Sequence, residues 1–396
     1  MPRASIVIPI YEMAGLLTAC LASLEADGLD DIELILVDNA STESRMTTLL
    51  RDWDDRAVVL RNSVNTGFAA GCNQGAAAAS APVVVFLNSD TEVRPGWIEP
   101  LIASASEPGA GMVGARLLYP DGRVQHAGMA LSDGMQPLHL HQRVPGDHPA
   151  VTRTRELQLV TGACCAIDRA LFAEHRGFDT DYTNGYEDVD LCLRLVRDGR
   201  RNIYRGDSVV VHHESMSPGR ADLESQNAVL FRTRWQGWRS DFAELLAEDG
   251  IDDGGADCRW EGPLFDASPE AAFGRAAVHA LVEEGRVPFA YEPDPRPLAE
   301  AAGALCDDVL LAALNRRRIG VPAADTFRHL TGGRTLGLAP NWGAVIAVIS
   351  PGCAVPADIV NAPLTLAAGS PALQAVAAAG VRASAIAALD PLHPNP

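Results

Sequence analysis

Short apolar runs alternate with Ala- and Leu-rich stretches of helical spacing through the first 235 residues. The apolar runs at 5–10, 33–37, 58–60 and 83–87 predict strands, and 16–24, 42–52 and 69–79 predict the helices between them. The longer strand runs are apolar almost throughout, the pattern of strands covered on both faces. Alternation of this kind predicts an α/β fold with a mostly parallel sheet flanked by helices. The run at 33–37 ends at Asp38, and the run at 83–87 leads through Asn88 to Asp90. Ligands of open α/β sheets bind outside the carboxyl ends of the strands, so both acids are candidate site residues.

The pattern loosens after residue 120. Residues 120–156 carry several His, Pro and Gly and predict a long loop or small sheet, a candidate lid. Strand character returns at 160–167 and 209–211, with a helix predicted over 186–197. The character changes again near residue 236. The expected organisation is one domain over 1–235, an acidic linker over 236–260 and a C-terminal region over 261–396. That last region is Ala-, Pro- and Gly-rich and predicts a small α/β or helical unit, with weak alternation near 345–349 and 373–389. It contains no repeat and no motif with chemistry.

Composition narrows the function classes. The 396 residues are 47% apolar and 21% charged, an ordinary globular balance. No apolar run reaches the ~18 residues of a membrane span, and the first residues predict a strand rather than a signal peptide. The eight cysteines show no paired spacing, and adjacent Cys164 and Cys165 sit in an apolar stretch. Buried thiols in a reducing, cytoplasmic setting are expected. A net charge of −19 disfavours nucleic-acid binding, which needs a basic face. All 32 basic residues are Arg, so a P-loop, with its obligatory Lys, is excluded.

Five stretches carry residues suited to chemistry. Asp38, in LILVDNAST, can accept hydrogen bonds from a nucleobase or ribose, or cap the following helix. In NTGFAAGCN the small residues let a ligand, or a strand, approach a helix start closely. Asp90, in NSDTEV, is either a turn residue or one of the few carboxylates that a Mg²⁺– or Mn²⁺–diphosphate requires. Glu187, Asp188 and Asp190 crowd a predicted helix start, where Asp190 can pair with Arg194 four residues on. That leaves Glu187 and Asp188 at the mouth to take a proton from a bound hydroxyl. His212 and His213 point to opposite faces of an extended chain, so at most one of them is a metal ligand.

Taken in order, SIVIPIY, LILVDNAST, NTGFAAGCNQG, FLNSDTEV, GWI, TGACCAIDR, GFDTDYTNGYEDVDLCLR and VHHESMS resemble the inverting family 2 glycosyltransferases of the GT-A fold. The likeness is nearest to the bacterial rhamnosyltransferase-like branch and covers roughly residues 3–235. By this resemblance Pro9 and Tyr11 line the nucleotide pocket, Asp38 contacts base or ribose, and Asn65 and Gly67 lie near the nucleotide. Asp90 matches the last position of the family's Asp-x-Asp metal motif. Asn88 replaces its first acid, which leaves Asp90 as the main carboxylate ligand on the donor side. Asp188 matches the catalytic base of the Glu-Asp motif, with Glu187 before it. His212 matches the downstream metal or diphosphate ligand, and Arg194 is structural or acceptor-facing.

The resemblance implies a hexosyltransferase dependent on Mg²⁺ or Mn²⁺. Its donor would be a dTDP- or UDP-sugar, and its acceptor a glycan or lipid-linked sugar in cell-surface polysaccharide synthesis. The implied setting is the cytoplasm, with peripheral contact at the inner face of the membrane left open. Two other classes are retained: an inactive nucleotide-sugar-binding or interaction protein, and a nucleotidyltransferase. No Gly- and Arg-rich phosphate loop near residue 11 supports the latter.

Overall fold

The computed structural model describes residues 1–132, 134–213, 220–251, 258–283, 288–292, 297–315, 326–330 and 345–349. The chain forms two units, Met1–Gln142 with Pro149–Phe242, and Arg143–His148 with Ala243–Pro396.

The first unit opens with strict alternation: β1 (Ala4–Ile10), α1 (Ala14–Asp27), β2 (Ile32–Asp38), α2 (Ser44–Arg51), β3 (Val58–Arg61), α3 (Phe68–Ala78) and β4 (Val83–Leu87). A more irregular run follows: β5 (Thr91–Val93), α4 (Ile98–Ala105), β6 (Ala110–Leu118), β7 (Val124–His126), β8 (Met129–Leu131) and β9 (Pro137–His139). It closes with α5 (Pro149–Thr152), β10 (Arg155–Leu157), β11 (Cys164–Asp168), α6 (Arg169–Glu174), α7 (Glu187–Arg197), β12 (Arg201–His212) and α8 (Arg220–Arg234).

A ten-stranded sheet has the order β10-β12-β6-β11-β4-β1-β2-β3, with β5 added to β12 and β7 to β6. Strands β1, β2, β3 and β4 are parallel neighbours. The expectation of a mostly parallel sheet flanked by helices holds, with one qualification. Strand β11 runs antiparallel between β4 and β6, so β6 and its parallel neighbour β12 share the direction of β4. Every residue of β1 and β4 is buried, as their unbroken apolar runs require. The edge strand β3 is short and leaves Val58 exposed.

Sequence pattern understated two strands. Strand β12 spans twelve residues where only 209–211 stand out, because a register shift between Arg205 and Val209 breaks its alternation. Strand β6 is itself a Gly-containing stretch, AGMVGARLL, whose glycines mask its β character. The stretch 120–156 is in fact a set of short pieces: β7, the β8–β9 hairpin, α5 and the start of β10.

The second unit holds α9 (Phe242–Glu248; Phe242 itself belongs to the first unit), β13 (Cys258–Glu261), α10 (Pro269–Glu283), β14 (Pro288–Tyr291), α11 (Asp308–Asn315), β15 (Thr326–Leu330) and β16 (Val345–Ile349). Its sheet has the order β14-β13-β15-β16 and is parallel throughout. Of the two characters expected for the C-terminal region, the described residues have the α/β one. The stretch 373–389 lies outside the described residues.

Two packing details position the candidate site. Helix α3 lies on β1 and β2 through Gly75, where a Cβ would sit 2.2 Å from Val7 Cγ1 and 3.2 Å from Val37 Cγ2, while Gly71 faces the Asn39 side chain. Helix α7 is anchored by Asp190, which is 3% exposed. The Asp190 carboxylate accepts hydrogen bonds from Arg194 Nε (2.8 Å), Trp235 Nε1 (2.9 Å) and Tyr182 Oη (3.4 Å). Arg194 in turn donates to the carbonyls of His175 and Gly177, so one charged pair fixes the helix, the loop before it and the region after α8.

Gly75→Ala should destabilise the first unit by about 1–3 kcal/mol, despite the ~1 kcal/mol that Ala gains in a helix. Val7 is fully buried and β-branched and has no room to give way. Asp190→Ala should cost roughly 3 kcal/mol, the lower end for breaking a buried pair, because Arg194 keeps two carbonyl acceptors. Thermal or urea unfolding of each variant checks both values.

Candidate active site

Strand β4 ends in a turn that folds back on the sheet. The Asn88 N–H donates to Ala163 O (2.9 Å), and the Asn88 carbonyl accepts from Thr91 Oγ1 (2.7 Å). Strand β5 then pairs antiparallel with β12, setting Thr91 opposite His212. The turn thus brings Asp90 Oδ1 to 3.2 Å from His212 Nε2, with side chains only 13% and 11% exposed. Asn88 Nδ2 lies 3.3 Å from the same nitrogen, and the other ring nitrogen, Nδ1, meets Gln125 Oε1 at 2.6 Å. Asn88 Oδ1 is buried with no hydrogen-bond partner among the described residues. His213 turns the other way and pairs with Glu92 at 2.7 Å, as two adjacent extended residues must. No group of three or more His, Cys, Asp or Glu assembles among the described residues, so the corner is a pair of metal-type donors flanked by an amide.

Asp38 closes β2 in register with Ile10 of β1 and is buried. Its Oδ1 accepts the Ser41 N–H (2.9 Å), and α2 begins only at Ser44 behind Glu43, so Asp38 shapes the turn and does not cap that helix. Pro9 is buried within β1, and Tyr11 just beyond it is half exposed at 51%. Glu12 and Met13 adopt left-handed backbone, and Glu12 is held by Thr42 N and Oγ1, both at 2.8 Å. Those bonds from Thr42 also keep the Glu12 carboxyl below its usual range. Asn65 is exposed, and its Oδ1 accepts the N–H of Gly67, which starts α3 at φ 85°.

Asn39 ties this corner together. Its amide donates to Gly67 O (3.1 Å) and its Oδ1 accepts from Asn62 Nδ2 (2.8 Å) and Thr66 Oγ1 (2.9 Å). Sequence reasoning passed over Asn39 in favour of its neighbour Asp38. The signal was its place at a buried strand end, where an amide is costly unless bonded.

The acidic stretch forms the opposite wall. Asn184, Gly185 and Tyr186 all have positive φ (57°, 128° and 75°), a tight turn directly before α7. Asn227 of α8 holds it by donating to Thr183 O (2.8 Å) and Gly185 O (2.9 Å), and Phe231 packs on Tyr186 with ring centroids 5.2 Å apart. Glu187 is buried and accepts the Gly185 N–H (2.7 Å). Asp188 Oδ2 accepts the Gly162 N–H (2.7 Å) and Oδ1 the Val189 N–H (2.8 Å). A Cβ on Gly162 would come to 3.1 Å from Asp188 Cβ, tight enough that Asp188 would have to give by a few tenths of an ångström. Residues 162 and 163 therefore bind both halves: Gly162 receives Asp188, and Ala163 receives Asn88. Arg194 stands apart from this mouth, its guanidinium committed to Asp190 and two backbone carbonyls. Cys20, Cys72, Cys164, Cys165 and Cys192 are buried free thiols; burial pushes Cys20 up to about 12, and Cys72, beside Glu187, is also raised.

Residues 5–176 match the family model for glycosyl transferase family 2. The chain is 34% identical over 263 residues to the uncharacterized protein y4gI of Sinorhizobium fredii, covering 61% of this chain and 28% of that protein. It is 36% identical over 225 residues to the O-antigen biosynthesis protein RfbC of Myxococcus xanthus, covering 54% and 18%. It is 27% identical over 264 residues to an N-acetylglucosaminyl-diphospho-decaprenol L-rhamnosyltransferase of Mycobacterium tuberculosis, covering 59% and 85%. The chain thus spans less than a third of the first two relatives' lengths. With the motif order, the strand-end acids and the acidic turn all in place, the match over residues 5–176 makes the first unit of this chain similar to the family 2 glycosyltransferases, an L-rhamnosyltransferase among them.

Proposed function

We propose that the chain transfers a sugar, rhamnose or another hexose, from a dTDP- or UDP-linked donor to a glycan or lipid-linked acceptor in cell-surface polysaccharide synthesis. The observation that carries this reading is the placement of Asp188 and of the Asn88–Asp90 turn on adjacent residues, Gly162 and Ala163. A group able to accept a proton and a corner able to hold a diphosphate are thereby fixed within one site. The O-antigen and rhamnosyltransferase relatives support the acceptor and sugar classes.

Asp90 and His212 suit Mg²⁺ or Mn²⁺: a carboxylate oxygen and an imidazole nitrogen 3.2 Å apart, beside the side-chain oxygen of Asn88, which has no hydrogen-bond partner among the described residues. When bound, such a cation acts as a Lewis acid toward the departing diphosphate. Asp38, Tyr11, Pro9, Asn65 and Gly67 line the side on which the nucleotide would lie. Asp188 takes the proton of the acceptor hydroxyl as its oxygen forms a bond to the anomeric carbon and the bond to the diphosphate breaks. Attack from the face opposite the leaving group inverts the anomeric centre, so one carboxylate suffices where a retaining glycosidase needs a pair. Glu187 holds the turn that aims Asp188, through Gly185. No described helix is long and apolar enough to cross a membrane.

Asp188→Asn should lower turnover by about 10²–10⁴-fold, the range of a general base, while donor affinity by calorimetry stays unchanged. Retained turnover overturns the assignment of the base. Asp90→Ala should weaken Mn²⁺-dependent donor binding by more than about 100-fold, beyond the usual outer-shell effect, with the unfolding midpoint preserved. Absence of turnover and of metal-dependent binding across a panel of dTDP-, UDP- and GDP-sugars would remove the whole reading.

A further inference from the structure

Strand β7 pairs with β6 irregularly: Leu117 faces His126, but the next residue, Leu118, faces Val124. One step on β6 answers two on β7, so Gln125 is the extra residue of a β-bulge. A bulge bends its strand and re-aims the side chain it carries. On the other side of β6, Leu118 pairs with Val211, immediately before His212. The bulge turns the Gln125 side chain toward that residue, 5% exposed, with Oε1 at 2.6 Å from His212 Nδ1.

We infer that Gln125 is the positioning residue that fixes which nitrogen of His212 carries the proton. The inference rests on the metal–diphosphate reading only for its consequence. An amide carbonyl accepts and cannot donate, so Nδ1 carries a proton, and in the neutral imidazole this leaves the Nε2 lone pair on the side of Asp90 Oδ1. The other neighbour of Nε2 agrees: Asn88 presents its Nδ2 donor at 3.3 Å, which suits an unprotonated nitrogen. Both amides thus select one tautomer. The lone pair and the carboxylate then stand 3.2 Å apart as two acceptors, close to the spacing of about 3.0 Å between adjacent ligands of an octahedral cation with bonds near 2.1 Å. Were the proton on Nε2 instead, His212 and Asp90 would form an ordinary hydrogen bond and the imidazole would have nothing to offer a cation. Orientation of a metal-binding imidazole through its second nitrogen raises affinity by about 10–100-fold.

The metal-free full-length chain, labelled with ¹⁵N-histidine, tests this directly. Long-range ¹H–¹⁵N correlation, with the His212 signals assigned through His212→Asn, should show the Nδ1–H tautomer. In Gln125→Leu and Gln125→Met that population should fall, and Mn²⁺ affinity measured by electron paramagnetic resonance should drop about 10–100-fold. Gln125→Glu, which keeps an acceptor oxygen, should restore both tautomer and affinity. A Nε2–H tautomer in the unsubstituted chain overturns the inference, as does Mn²⁺ affinity unchanged in both folded Leu and Met variants. If the unsubstituted chain shows the Nδ1–H form but binds no Mn²⁺ with or without a nucleoside diphosphate, the metal reading fails and the role of Gln125 stands.

Discussion

The site depends on one constraint: the central strands are buried on both faces, where a polar side chain is costly unless it is hydrogen-bonded, as Ser5 is to Glu33. Strands β1 and β4 have no exposed residue. Every hydrogen-bonding group needed for chemistry is therefore pushed to the carboxyl edge, where the backbone leaves the sheet and turns become available. Asp38, the Asn88–Asp90 turn and His212 lie at that edge because β2, β4 and β12 run in the same direction. The antiparallel insertion of β11 is what lets a later segment return there, setting residues 162 and 163 against β4 and α7.

This constraint also explains what the sequence revealed. Unbroken apolar runs mark β1, β2 and β4, and the acid after each of the last two marks the edge. The acidic cluster before α7 is legible for the same reason, since like charges gather only where a helix start and backbone N–H groups offset them. The Asp190–Arg194 spacing of one helical turn is a local rule, and the pair forms at 2.8 Å. Gln125 was not legible, and Asn39 was legible only as an amide at a buried strand end, not in its partners. Each is a neutral amide whose role is set by which strand lies beside it, and for Gln125 by a one-residue slip in pairing that no local pattern encodes. Gly75 shows the converse: the small residues of α3 looked equally suited to a ligand or a strand, and at this position the neighbour is Val7.

Polar groups in the site are held mostly by backbone. Glu12, Asp38, Glu187 and Asp188 each accept main-chain N–H groups, and Asn227 grips main-chain carbonyls. A carboxylate fixed by backbone donors keeps its orientation through bonds that side-chain substitution does not remove. The left-handed turn at 184–186 is the counterpart on the cost side: Asn and Tyr occupy a region that favours glycine, at about 1–2 kcal/mol per residue. Phe231 and Asn227 offset it from a separate helix.

Placing Asp188 and Asn88 on consecutive residues has a consequence for how such a site can diversify. The span between them is set by one peptide unit, a length that side-chain substitution does not alter. Loops around the cleft can lengthen, shorten or change character to suit different acceptors while this internal ruler stays constant. Gly162 is the graduation mark on it, since a side chain there would press on Asp188. The chemistry is thereby insulated from the parts of the chain that are free to vary.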